Sequence, residues 1–276
     1  MQILQTADPA RKVQLTTEAI SRWYFERVTP KLALPDQPPQ DAALEIVEPH
    51  RMKLGKGGSL QSRIAILHSL AAIELHAVNL AWDIIARFGS HAIVESLPAT
   101  LPRDFYSDFV TVAEDECRHF NMLAARLKDL GSYFGALPVH NGLWQSAEET
   151  SNSLLARLAI VHMVHEARGL DVTPNTIEKF RRNGDTESAN MLQTIYEEEI
   201  THVAAGMRWF RQQTGDLEEE SDRISVFHRT VLKYFHGVLK PPFNDAGRAQ
   251  AGFTEDWYLP LVQRASDNGA DKSTAN

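Results

Sequence analysis

Four long stretches of the chain carry apolar residues in steps of three and four, the spacing of one helical face. The first runs from Ser59 to Gly89 and aligns Leu67, Leu70, Glu74, Ala77, Ala81, Ile84 and Phe88. The second opens at Pro102-Arg103-Asp104 and closes at Gly131, with Phe105, Phe109, Val112, Glu116, His119, Leu123 and Leu127 or Leu130 in its stripe. The third starts near Ser151 and aligns Leu155, Ala159, His162, Glu166 and Gly169. Thr173-Pro174 then restarts a helix, because Thr caps well and Pro suits a first turn, and Asn183-Gly184 ends it. The fourth begins at an Asp185 cap and aligns Ser188, Leu192, Ile195, Glu199, His202, Gly206 and Trp209. The pattern predicts an all-α fold with a four-helix bundle over residues 59–215.

The flanks read as additions to that bundle. In residues 1–58, Asp8-Pro9 starts a helix that runs to about Val28, and the proline-rich stretch from Pro30 to Pro39 holds none. Arg51, Lys53 and Lys56 form a small basic cluster ahead of Gly57-Gly58, read as part of a solvated arm wrapping the bundle. Residues 131–150 carry turn chemistry and form either a lid or plain packing over the bundle end. Residues 216–276 form a helical extension, with one helix from Ser221 to about Leu239, a break at Lys240-Pro241-Pro242-Phe243-Asn244, a last helix from Asp245 to Gln263 and a polar tail from Ala265.

Composition narrows the class. The formal net charge of −8 disfavours general nucleic-acid binding. One cysteine excludes an intramolecular disulfide framework, and Cys117 reads as a buried, inert thiol. No apolar run looks long enough for a membrane span and no secretory leader is legible, so a cytoplasmic protein is expected.

The chemistry lies inside the stripes. Glu74, Glu116, Glu166 and Glu199 all fall on inward faces, one per helix, where a carboxylate is costly unless it is paired or bound to metal. His119 and His202 each follow a glutamate by three residues, so each Glu-x-x-His pair presents both side chains on one helical face. Four glutamates balance two divalent ions, and the donor set suits iron, manganese and zinc. His162 lies one turn before Glu166, as an additional ligand or as a core residue hydrogen-bonded in place. His76 and Asp83 lie off the stripe and read as surface residues or partners of ligands. Glu114, Asp115, Glu197 and Glu198 read as solvated. The small residues Ala77, Ala81, Gly169 and Gly206 leave two readings open: space beside the metals, or close helix packing.

The order Glu, Glu-x-x-His, Glu, Glu-x-x-His resembles the ferritin-like diiron-carboxylate superfamily. More narrowly, the chain resembles an uncharacterised bacterial ferritin-like family of unknown function. That likeness rests on His68-Ser69-Leu70-Ala71-Ala72-Ile73-Glu74-Leu75-His76-Ala77, Asp115-Glu116-Cys117-Arg118-His119-Phe120, Glu166-Ala167-Arg168-Gly169-Leu170-Asp171, Glu199-Ile200-Thr201-His202-Val203 and Pro241-Pro242-Phe243-Asn244. It implies a ferritin-like bundle with Glu74, Glu116, His119, Glu166, Glu199 and His202 as ligands of two divalent ions: iron first, manganese or a mixed pair as alternatives. A more distant likeness to tRNA-modifying diiron hydroxylases keeps tRNA open as a substrate against the acidic balance.

The expected function is an oxidoreductase that activates dioxygen to hydroxylate or oxidise a small organic substrate, with an external electron donor, no membrane partner and a homodimeric state. The alternatives are a ferroxidase or iron-handling protein, and a metal-stabilised binding protein without turnover.

Overall fold

The computed structural model describes residues 2–26, 34–89 and 101–270. Among the described residues the chain is helical, apart from an isolated parallel bridge between Ile46 and Val139. Contacts divide it into two units, Met1–Asn152 with Asn175–Ile195, and Ser153–Pro174 with Tyr196–Asn276.

In the first unit, helix α1 spans Pro9–Glu26, and the expected end near Val28 lies outside the described residues. Helix α2 spans Leu60–Phe88. Its cap is the expected Ser59, whose Oγ accepts the Ser62 N–H at 3.2 Å, satisfying one of the orphan donors of the first turn. Helix α3 spans Arg103–Asp129, with Pro102 at the N-cap and Gly131 just beyond its end in the left-handed conformation that glycine tolerates. The two helices pack against each other.

Their stripes are buried as expected, except that Leu70 and Leu130 are half-buried. Asp83 is not the surface residue that one of its two readings expected. Its side chain is fully buried, and Arg87 one turn on donates Nη2 to it at 2.8 Å, which supplies the opposite charge a buried carboxylate needs. Helix α2 also corrects the membrane expectation. By length and apolar composition it could cross a bilayer, yet 67% of that apolar window is buried inside the fold. A long core helix meets the same criterion as a membrane span.

The segment after α3 is ordered by backbone bonds to the arm. Val47 N–H donates to Val139 O at 2.8 Å, and Val139 N–H donates to Glu45 O at 2.9 Å. Helix α4, Gly142–Glu149, then buries Trp144, whose indole N–H reaches Asp36 O at 3.0 Å.

His68, 1% exposed on α2, accepts the Gly135 N–H through Nε2 at 2.8 Å and stacks on Phe134. An accepting Nε2 carries no proton, and burial lowers the imidazole from its ordinary value to about 4. Between pH 6.5 and 4 the unfolded chain therefore takes up a proton that the folded chain refuses. Stability from this group is complete above pH 6.5 and falls by about 3 kcal/mol as pH drops to 4. Urea titrations across this window should show a shallower acid limb for His68→Gln than for the wild type.

The second unit opens at Ser153, whose Oγ caps α5, Leu154–Arg157, by accepting the Ala156 N–H at 3.2 Å. A π-helical segment, Leu158–His165, follows, and α6 runs Glu166–Arg182. The predicted restart at Thr173-Pro174 does not occur: Pro174 lies inside α6. Helix α7 spans Thr186–Gln213; its start, which belongs with Arg126 to the first unit, lies at the expected cap, where Asp185 Oδ1 accepts the Ser188 N–H at 3.1 Å. Burial alone would raise the Asp185 carboxyl, but Ser188 and Arg126 hold it below its ordinary value.

Helix α8 spans Glu220–Tyr234, starting and stopping before the expected Ser221 and Leu239. The predicted last helix is two, α9 at Asp245–Gln250 and α10 at Glu255–Ala270. They are parted at Gly252, whose positive φ breaks the helical path. The polar tail from Ala265 is thus helical as far as Ala270, and residues 271–276 lie outside the described residues.

Two of the stretches that carry the family likeness meet in this unit. Arg248 on α9 donates Nε and Nη2 to the two oxygens of Asp171 at 2.8 and 2.7 Å. Asn244 donates its backbone N–H to Asp171 Oδ1 and its amide to Leu170 O, at 3.0 and 3.1 Å. Arg248 also lies over the rings of Tyr258 and Phe243. Both charged side chains are almost wholly buried, so Asp171→Ala strands a guanidinium in the core. It should cost about 3–5 kcal/mol in chemical denaturation, whereas the apolar pair Asp171→Leu with Arg248→Met should recover most of that loss.

Candidate metal centre

In the first unit, α2 brings Glu74 and α3 brings Glu116 and His119 to one point. All three are buried, with exposures of 6, 1 and 0%. His119 Nδ1 lies 3.4 Å from Glu74 Oε2 and 3.6 Å from Glu116 Oε2. One donor atom from each of the three lies within 4.8 Å of the others. In the second unit, Glu199 and His202 on α7 form the matching pair, with His202 Nδ1 3.3 Å from Glu199 Oε2. His202 is 3% exposed and Glu199 is half-buried. Both Glu-x-x-His pairs thus present the same two atoms to each other at nearly the same distance, as a three-residue helical step dictates.

The donor chemistry fits a divalent ion. Two ligand atoms about 2.1 Å from one ion, at bond angles near 90–110°, stand about 3.0–3.4 Å apart. The carboxylate-to-imidazole separations of 3.3, 3.4 and 3.6 Å match or lie just beyond that spacing. Hard oxygens with borderline imidazole nitrogen suit iron, manganese or zinc. A divalent ion also answers the charge problem of two carboxylates buried beside one imidazole.

The other donor expected from sequence, Glu166, begins α6 at the end of the π-helical segment and is half-buried. His162, 2% exposed, sits within that segment. Every residue from Ala156 to Val164 is buried, so this helix has no single inward stripe, and the expected alignment of Leu155, Ala159 and His162 does not define a face. Sequence reading missed the π-helical stretch, because an unbroken apolar run carries no periodicity from which a change of register can be read. Such segments recur at functional sites, and this one stops one residue before Glu166.

The small residues divide. A Cβ on Gly206 would lie 2.1 Å from the backbone oxygen of His162, so this glycine serves close helix packing and not an open space. A Cβ on Gly169 would meet nothing within 4 Å. Cys117, beside a ligand in sequence, is buried and pushed up to about 12 by burial, the behaviour of an inert thiol. Tyr196 accepts a hydrogen bond from Asn244 Nδ2 at 2.8 Å, an ordinary packed tyrosine.

The chain is similar to an uncharacterised protein of Haemophilus influenzae, 33% identical over 275 residues that cover 94% of this chain and 92% of the relative. No solved structure matches it. Residues 5–259 match the model of a family described as "Protein of unknown function (DUF455)", and the chain belongs to that family.

Proposed function

We propose that the chain is a ferritin-like dinuclear metal protein in which Glu74, Glu116, His119, Glu166, Glu199 and His202 hold two divalent ions, iron first and manganese or a mixed pair otherwise. The repeated pair carries this reading: two buried histidines, each with Nδ1 turned to the carboxylate three residues before it, at 3.6 and 3.3 Å. The order of the six residues along four helices supports it.

The activity that fits is oxidation or hydroxylation of a small organic substrate. The bound ions would supply dioxygen activation, with an external electron donor. The chain's own part is to hold carboxylate and imidazole donors in a dry site. Glu74, Glu116 and His119 exclude water by their burial, and the Asp171–Arg248 pair fixes the helix that starts at Glu166. We place the protein in the cytoplasm, as a homodimer.

Dioxygen uptake tests the activity. Protein loaded anaerobically with ferrous iron should consume dioxygen on exposure to air with a reductant, and His202→Ala should lose that uptake. No uptake by metal-loaded wild type would leave a metal-stabilised binding protein. A cage of many subunits on size-exclusion chromatography would favour iron handling.

A further inference from the structure

The arm before α2 frames a groove of about 620 Å³ that the metal centre does not use. Its volume falls among those of small-molecule sites, on the order of 300–1,000 Å³. The floor is apolar, formed by Val47, Met52, Leu54, Ala65, Leu137 and Pro138. The rim is basic: His50, Arg51 and Lys53 line it, and Glu45 is the one acid among the lining residues. Arg51 and Lys53 are exposed, and neither makes an ion pair or side-chain hydrogen bond among the described residues. This positive rim stands out on a chain of net charge −8.

The walls are held in place without a ligand. Val47 and Val139 are tied by the backbone bonds of the parallel bridge. Leu54 O accepts from Ser62 Oγ at 2.9 Å, and that Oγ accepts the Gly57 N–H at 2.6 Å. Gly55 and Gly57, both at positive φ, allow the turn that brings Arg51 and Lys53 back along α2. A pre-formed apolar floor with convergent charges at one edge is the build of a ligand site, because binding then orders little of the protein.

We propose that this groove binds a small amphipathic organic anion, its apolar body on the Val47–Met52–Leu137 floor and its carboxylate or phosphate ester between Arg51 and Lys53. A guanidinium takes either head group through paired N–H donors, and the lysine adds a point charge. The assignment is independent of the metal centre.

Calorimetric titration with octanoate, octyl phosphate and neutral 1-octanol tests it. At least one anion should bind saturably with a Kd of about 1 mM or tighter, and octanol about tenfold or more weakly. Preference for octyl phosphate identifies a phosphate ester as the natural head group, and preference for octanoate a carboxylate. Arg51→Gln with Lys53→Gln should weaken anion binding about tenfold or more at unchanged melting temperature, since both side chains are exposed. Arg181→Gln with Arg182→Gln, outside the groove, should change nothing. No saturable binding, equal affinity for octanol, or binding unaffected by the groove variant would overturn the proposal. Retention of a short RNA without binding of either small anion would also overturn it.

Discussion

Metal-free protein should melt on the order of 10 °C lower for each ion removed. An ion present at a thousand times its Kd stabilises the folded chain by about 4 kcal/mol. For a chain of this size each kcal/mol shifts the melting temperature by about 2–4 °C. The physical basis is the first-unit cluster: Glu74 and Glu116, both at least 94% buried, lie beside one imidazole nitrogen, and a bound cation adds attraction to both carboxylates in a site that holds them out of water. Scanning calorimetry of chelated and of iron- or manganese-loaded protein measures the difference. Glu116→Gln should flatten it by removing one ligand charge while keeping the side-chain volume. Identical melting of the chelated and loaded wild type would mean that the cluster is stabilised without metal.

Gly206→Ala should be the most damaging single methyl in the second unit. Its Cβ would stand 2.1 Å from His162 O and 2.8 Å from the carbonyl carbon, both backbone atoms. A flexible side chain could swing aside, but here a helix must move. The loss should therefore exceed the usual overpacking cost of about 1–3 kcal/mol. Gly169→Ala is the matched control, since its Cβ meets nothing within 4 Å and helix propensity favours alanine by about 1 kcal/mol. Urea denaturation of the two variants should move in opposite directions. A Gly206→Ala protein as stable as wild type would mean that the helices at His162 are not in close contact.

What the sequence made legible follows from how each signal is encoded. Ser59, Asp185 and Gly131 are local devices whose chemistry acts within one turn, and their helix ends fall where that chemistry puts them. Glu116 and His119 were legible because α3 carries polar residues on its outer face, leaving an inward stripe in which a carboxylate stands out, and Glu74 because it is a carboxylate within a largely apolar helix. The segment from Ala156 to Val164 is buried all round, so its face and its π-helical register had no polar positions to mark them. The surface reading of Asp83 failed because the charge that lets it be buried, Arg87, also lies off the stripe on the same helix. Gly206 was ambiguous because a glycine facing inward looks the same in sequence whether a void or a backbone lies opposite. Asp171 and Arg248 could not be linked from sequence, since they meet only through the packing of α9 against α6.

The dinuclear centre is tested by metal content per chain from elemental analysis, on wild type and Glu116→Ala purified side by side from iron- and manganese-replete growth. About two ions of iron, manganese or both are expected per wild-type chain, with most of that lost in the variant while its helical content is retained. A well-folded wild-type chain that carries almost no metal, and that takes up none on anaerobic loading, would contradict a dinuclear centre.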